Sequence, residues 1–165
     1  MTQTVIYSET EKEILFPARD LITKAGLEGD FSLIRLAGGK NNRVFQLKGK
    51  GRSYLLKSYF RHEHDPRDRL GTEYAFISYA RNCGIQTVPR PVASDQVHGL
   101  GLYEFVEGRK LCPDEIREDH IRQAIRFYIA LKKKIILTRI SFPLLRRHVF
   151  PYMITLIVLR ADQDD

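Results

Sequence analysis

The chain has 165 residues, 43% of them hydrophobic and 28% charged, which is the profile of one globular domain with a sizeable core and excludes a disordered or fibrous chain. Cys83 and Cys112 are too few for a disulfide framework and lack zinc-ligand spacing, so they read as reduced thiols of a cytoplasmic protein. The net charge of +7 comes from the tail: residues 1–119 hold 18 Lys/Arg against 17 Asp/Glu, whereas residues 120–161 hold nine Lys/Arg and no acid.

Charge confined to a tail, without a folded face carrying aromatic stacking partners, argues against a nucleic-acid partner. Glu9, Glu11, Lys12 and Glu13 interrupt the apolar stretch that a signal peptide requires, which argues against secretion. Phe16-Pro17 ahead of residues 18–25, with Gly26 beyond them, predicts a short helix with proline at its start and glycine past its end. Runs at residues 31–36, 43–48 and 53–59 follow, separated by Gly38-Gly39-Lys40-Asn41-Asn42 and Gly49-Lys50-Gly51, and predict an antiparallel meander.

Strand alternation places Leu55, Lys57 and Tyr59 on one face of the third run, and Tyr54, Leu56 and Ser58 on the other. A lysine among apolar neighbours either snorkels from an edge or is held by a buried anion. After a polar loop at residues 61–68, residues 69–82 predict a helix stopped by Cys83-Gly84. Glu73, Phe76, Ile77 and Ala80 share one face of it, and an acid on an apolar stripe wants a cationic partner. Two short strands are expected at residues 92–94 and 100–105, then a helix from Pro113 to about Lys132.

Beyond Leu131 the pattern changes. The apolar run at residues 149–159 is eleven residues, about half of what a spanning helix needs, which argues against a membrane protein. A peripheral basic-apolar anchor, an ordinary core element and a non-native end all fit the tail.

The glycine turn is a common hairpin; read functionally, Gly38 and Gly39 let backbone amides approach a phosphate, with Asn41 and Asn42 as short polar groups at the tip. Phosphoryl transfer needs a lysine fixed on the phosphates and a carboxylate directing it, roles that Lys57 and Glu73 can take. The strand ending at Glu104-Phe105-Val106 can offer Glu104 and Val106 to an adenine edge.

These motifs resemble the aminoglycoside phosphotransferase and choline kinase-like group of the protein-kinase-like fold, particularly its homoserine kinase-like and stress-response kinase-like members. The resemblance rests on residues 36–45 around Gly38-Gly39, on Tyr54-Leu55-Leu56-Lys57, Glu73-Tyr74-Ala75-Phe76-Ile77 and Val88-Pro89-Arg90-Pro91, and on residues 102–108, and it covers about residues 16–130. It implies an α+β kinase-like N-terminal lobe: an antiparallel sheet of about five strands with one packed helix, the one bearing Glu73, followed by a helical segment. It divides the chain into a lobe at 1–108, a hinge and first helix at 109–131, and an atypical basic-apolar tail at 132–165. It implies ATP with magnesium and a small-molecule acceptor.

Such enzymes carry a His-x-Asp-x-x-x-x-Asn loop and a later metal-binding Asp. Here the residues two places after each histidine are His64, Pro66, Leu100, Arg122 and Phe150. The expectation is therefore the nucleotide-binding part of an ATP-dependent small-molecule phosphotransferase, truncated and inactive alone, with no catalytic residue or metal ligand assigned. The alternative is a non-catalytic nucleotide-binding or protein-interaction module. A lone lobe exposes apolar surface and leaves self-association open.

Overall fold

The computed structural model describes residues 9–36, 42–109 and 111–138. Helix α1 spans Glu9–Lys24 and holds Pro17 inside it, so the predicted start at Phe16-Pro17 was too late. An interior proline costs about 3 kcal/mol. The buried stripe Ile14, Ala18, Leu21 and Ile22 offsets this, since each fully buried large aliphatic side chain contributes roughly 1.5–3 kcal/mol. The predicted end is correct: at Gly26, φ +68°, the Gly26 and Leu27 N–H groups donate to the carbonyls of Thr23 (2.9 Å) and Ile22 (3.1 Å), closing the helix in a Schellman turn.

Five strands follow among the described residues: β1 Ser32–Leu36, β2 Arg43–Gly49, β3 Arg52–Ser58, β4 Pro91–Asp95 and β5 Leu100–Glu104. They form one antiparallel sheet in the order β1-β2-β3-β5-β4. The meander of the first three is as the glycine turns predict. Phe45, Leu47, Tyr54, Leu56, Leu100 and Leu102 share one face and form a single core cluster with Ile14, Ala18, Leu21 and Ile22 of α1. Lys57 lies on the opposite face, because register pairs it with Val44 and Gly101 while its neighbour Leu56 pairs with Phe45 and Leu102.

The chain divides into two compact units, one of residues 1–70 with 91–104 and one of residues 71–90 with 105–165. Helix α2, Arg69–Asn82, has the predicted bounds. It ends on a second Schellman turn at Gly84, φ +82°, where Gly84 and Ile85 donate to Arg81 (2.8 Å) and Ala80 (3.0 Å). Its buried side chains include Ile77 and Ala80, with Glu73 and Phe76 half-buried beside them.

The helix expected from Pro113 is two elements. A single 3-10 turn, Pro113–Glu115, precedes α3, Glu118–Thr138. Glu115 is occupied by Arg109 (2.6 and 2.7 Å) and by the Cys112 N–H (2.7 Å). The helix begins afresh where His120 Nδ1 accepts the Arg117 N–H at 3.0 Å and Glu118 and Asp119 fill the first turn. It runs past Lys132 to Thr138, because no glycine or proline intervenes before Pro143. The apolar run at 149–159 and the terminal acids lie outside the described residues.

Candidate functional site

The site is built on the sheet face turned away from α1. Lys57 retains only 7% of its surface there. A buried ammonium is tolerated only where charge and hydrogen bonds compensate its lost hydration, and no buried side-chain nitrogen or oxygen among the described residues lacks a hydrogen-bond partner.

Tyr59, two residues on and just past the end of β3, keeps the same face, its N–H donating to the Gly99 carbonyl at 2.9 Å. Its ring lies under Lys57, with Nζ 4.7 Å from the ring centroid, within the range of a cation–π contact. The Tyr59 hydroxyl meets the Tyr103 hydroxyl at 2.8 Å. Tyr103 reaches that position by crossing Gly101, the residue opposite Lys57: a Cβ on Gly101 would lie 2.8 Å from Cε2 and Oη of Tyr103.

Of the residues expected to hold a nucleotide, Gly38, Gly39 and Asn41 lie outside the described residues. Asn42 Oδ1 accepts the Phe60 N–H at 3.2 Å, tying the start of β2 to the chain leaving β3. Glu104 is the last residue of β5, paired with Tyr54 and thus on the face opposite Lys57, while the pairing with β4 ends at Tyr103. Val106 is half-buried just beyond the sheet. Glu73 and Val106 belong to the second unit and Lys57, Asn42 and Glu104 to the first. Sequence reasoning placed Tyr59 beside Lys57 but passed over Gly101 and Tyr103; a glycine inside a strand, a sign of close approach, was the available signal.

Three carboxylates elsewhere are strongly held. Hydrogen bonds from Arg67 and Arg69 keep Asp65 far below the usual carboxylate range. Burial pushes Asp95 upward, but its bonds with His98 and from the Val97 N–H outweigh this and leave it lowered. Arg109, then the Cys112 N–H, bring Glu115 down to about 2. All three brace turns. Among the described residues there is no group of three or more His, Cys, Asp or Glu that could hold a metal ion.

A lysine-bearing five-stranded antiparallel sheet with a helix on its far face is an α+β lobe of kinase-like type. The sequence profile of the phosphotransferase enzyme family (APH) matches residues 32–134, more than half of the chain: the chain belongs to that family. Choline kinase from Cryptosporidium parvum Iowa II is similar in fold, with a TM-score of 0.50 at 17% identity, covering 82% of this chain and 38% of that one. A putative aminoglycoside phosphotransferase from Ralstonia eutropha JMP134 gives 0.43 at 23% identity, covering 71% and 34%. A spectinomycin phosphotransferase solved with ADP and spectinomycin gives 0.40 at 13%, covering 59% and 31%. The chain spans about a third of the length of the solved proteins it matches. No curated protein matches it.

Proposed function

We propose that this chain is the nucleotide-holding part of an ATP-dependent small-molecule phosphotransferase and has no turnover by itself. The observation that carries the reading is Lys57, an ammonium buried on the sheet face turned away from α1 and fixed over an aromatic ring, in a chain of a phosphotransferase family. A bound ATP would supply the transferable phosphoryl group. Lys57 would meet its phosphate oxygens, the amides at Gly38 and Gly39 would approach them, and the backbone at Glu104 and Val106 would meet the adenine edge. Glu73 enters as the carboxylate that the resemblance assigns to Lys57. A Lys57→Ala/Glu73→Ala double-mutant cycle on ATP affinity decides that role, and additive losses remove it.

The absence of turnover is supported by the sequence, which offers no Asp two places after any histidine. Cytoplasmic residence belongs to the same reading and is supported by two free cysteines; among the described residues no helix is long and apolar enough to cross a membrane.

Titration calorimetry of the full chain with ATP, with and without magnesium, tests the reading. Weak binding that is lost in Lys57→Ala is expected; binding unchanged in that variant removes Lys57 from the site. Phosphate transfer from ATP to amino alcohols, aminoglycosides or hydroxylated metabolites should stay at the no-enzyme background. A rate from mass-verified protein that disappears in Lys57→Ala would overturn the assignment of no turnover.

A further inference from the structure

A lysine side chain has four rotatable bonds, so an ammonium that must meet a phosphate at a fixed point needs something to hold it there. The sheet provides an aromatic seat whose parts come from two strands. Tyr59 presents its ring to Nζ at 4.7 Å. The ring is held at its far end by the hydroxyl contact with Tyr103, a residue 44 positions away that is 1% exposed. Tyr103 can lie flat there only because Gly101, opposite Lys57 in the β3–β5 register, has no side chain.

We propose that Tyr59, braced by Tyr103 across Gly101, is a positioning residue that fixes the direction of the Lys57 ammonium. The consequence for nucleotide binding rests on the reading of Lys57 given above; the seating of the lysine does not. The negative face of the ring attracts the cation from below and leaves its remaining N–H donors directed away from the ring. The hydroxyl pair acts at one remove, by holding the far end of the ring and so preventing the side chain from swinging away about χ1.

The test uses the full chain labelled with 13C-lysine, the Lys57 ε-methylene signal being assigned by its loss in Lys57→Ala. Ring current from Tyr59 should displace that signal most in the wild type, less in Tyr59→Phe and Tyr103→Phe, which keep both rings but break the hydroxyl pair, and not at all in Tyr59→Leu. ATP affinity should follow the same order, with Tyr59→Leu weaker by about fivefold or more, the factor matching a cation–π contact of ordinary strength. Adenosine, which has no phosphate for Lys57 to meet, should bind all variants alike; a general loss of folding would weaken both ligands.

A Lys57 signal indifferent to Tyr59→Leu overturns the proposal, and so does an ATP affinity that Lys57→Ala weakens and Tyr59→Leu leaves unchanged. If Tyr59→Leu does not fold, the two phenylalanine variants carry the test, and a Lys57 signal identical to wild type in both sinks it. A wild-type chain that binds no ATP refutes the nucleotide reading alone, and the ε-methylene signal still decides the seat.

Discussion

Gly101→Ala adds one methyl group at the place where the Lys57 face is most tightly built. The new Cβ would lie 2.8 Å from Cε2 and Oη of Tyr103 and 3.0 Å from Cζ, well inside van der Waals contact. The ring has nowhere to go: Tyr103 is 1% exposed and its hydroxyl is engaged by Tyr59. Overpacking of this kind costs about 1–3 kcal/mol. Replacing a strand glycine returns about 0.5–1 kcal/mol of backbone entropy, which leaves a net loss centred on about 1 kcal/mol. Urea unfolding of the full chain should show the midpoint falling by roughly 0.5–1 M, with the slope unchanged.

Gly49→Ala is the control. Its Cβ would lie 2.7 Å from Cε1 of Phe31, an equally short approach, but Phe31 is only half-buried, at the margin of the core cluster and edge-on to Tyr54. It should cost less than Gly101→Ala. In a Tyr103→Leu background the cost of Gly101→Ala should largely vanish, because the obstructing ring is gone. Equal losses for the two glycine variants, or a Gly101→Ala cost that persists without the Tyr103 ring, would show that the Tyr103 ring is not the obstacle.

Leu56→Ala removes a side chain with 0% exposure from the cluster beneath α1; a loss of about 2–5 kcal/mol is expected by urea unfolding, and one below 1 kcal/mol would show that this face is not a packed core. Glu115 is depressed from 4.5 to about 2, so its contribution to stability is present above its ordinary value and is lost as pH falls through about 2. Its carboxyl 13C signal should titrate near 2 and move toward the ordinary glutamate range in Arg109→Ala; an unmoved midpoint removes Arg109 as the cause. Asp95→Ala takes the acceptor from the Val97 and His98 amides in the β4–β5 turn, and faster hydrogen exchange at those two amides is the expected result.

The local grammar of the chain is written in short stretches of residues. Glycines at the turns and period-two alternation were enough to place all five strands within a residue or two. Gly26 and Gly84 announced both Schellman ends, because glycine adopts positive φ without the Cβ penalty that other residues meet. The family was legible for the same reason: its motifs are short and lie in fixed order along the chain. The starts of α1 and α3 were not legible. Proline at position 17 is a local signal for a helix start, and it was overruled by the stripe from Ile14 to Ile22 finding a sheet to cover. The start of α3 depended on Glu115 being taken by Arg109, six residues away, and on a histidine cap.

The seat of Lys57 could be decided only by tertiary structure. Alternation puts Lys57 and Tyr59 on one face, but nothing within β3 says which residue braces the ring. The partner, Tyr103, comes from another part of the chain, and the glycine that admits it is opposite Lys57 only in the β3–β5 register. Register is a pairing between distant segments, fixed by which faces are buried together, and so it exists only once the sheet has formed.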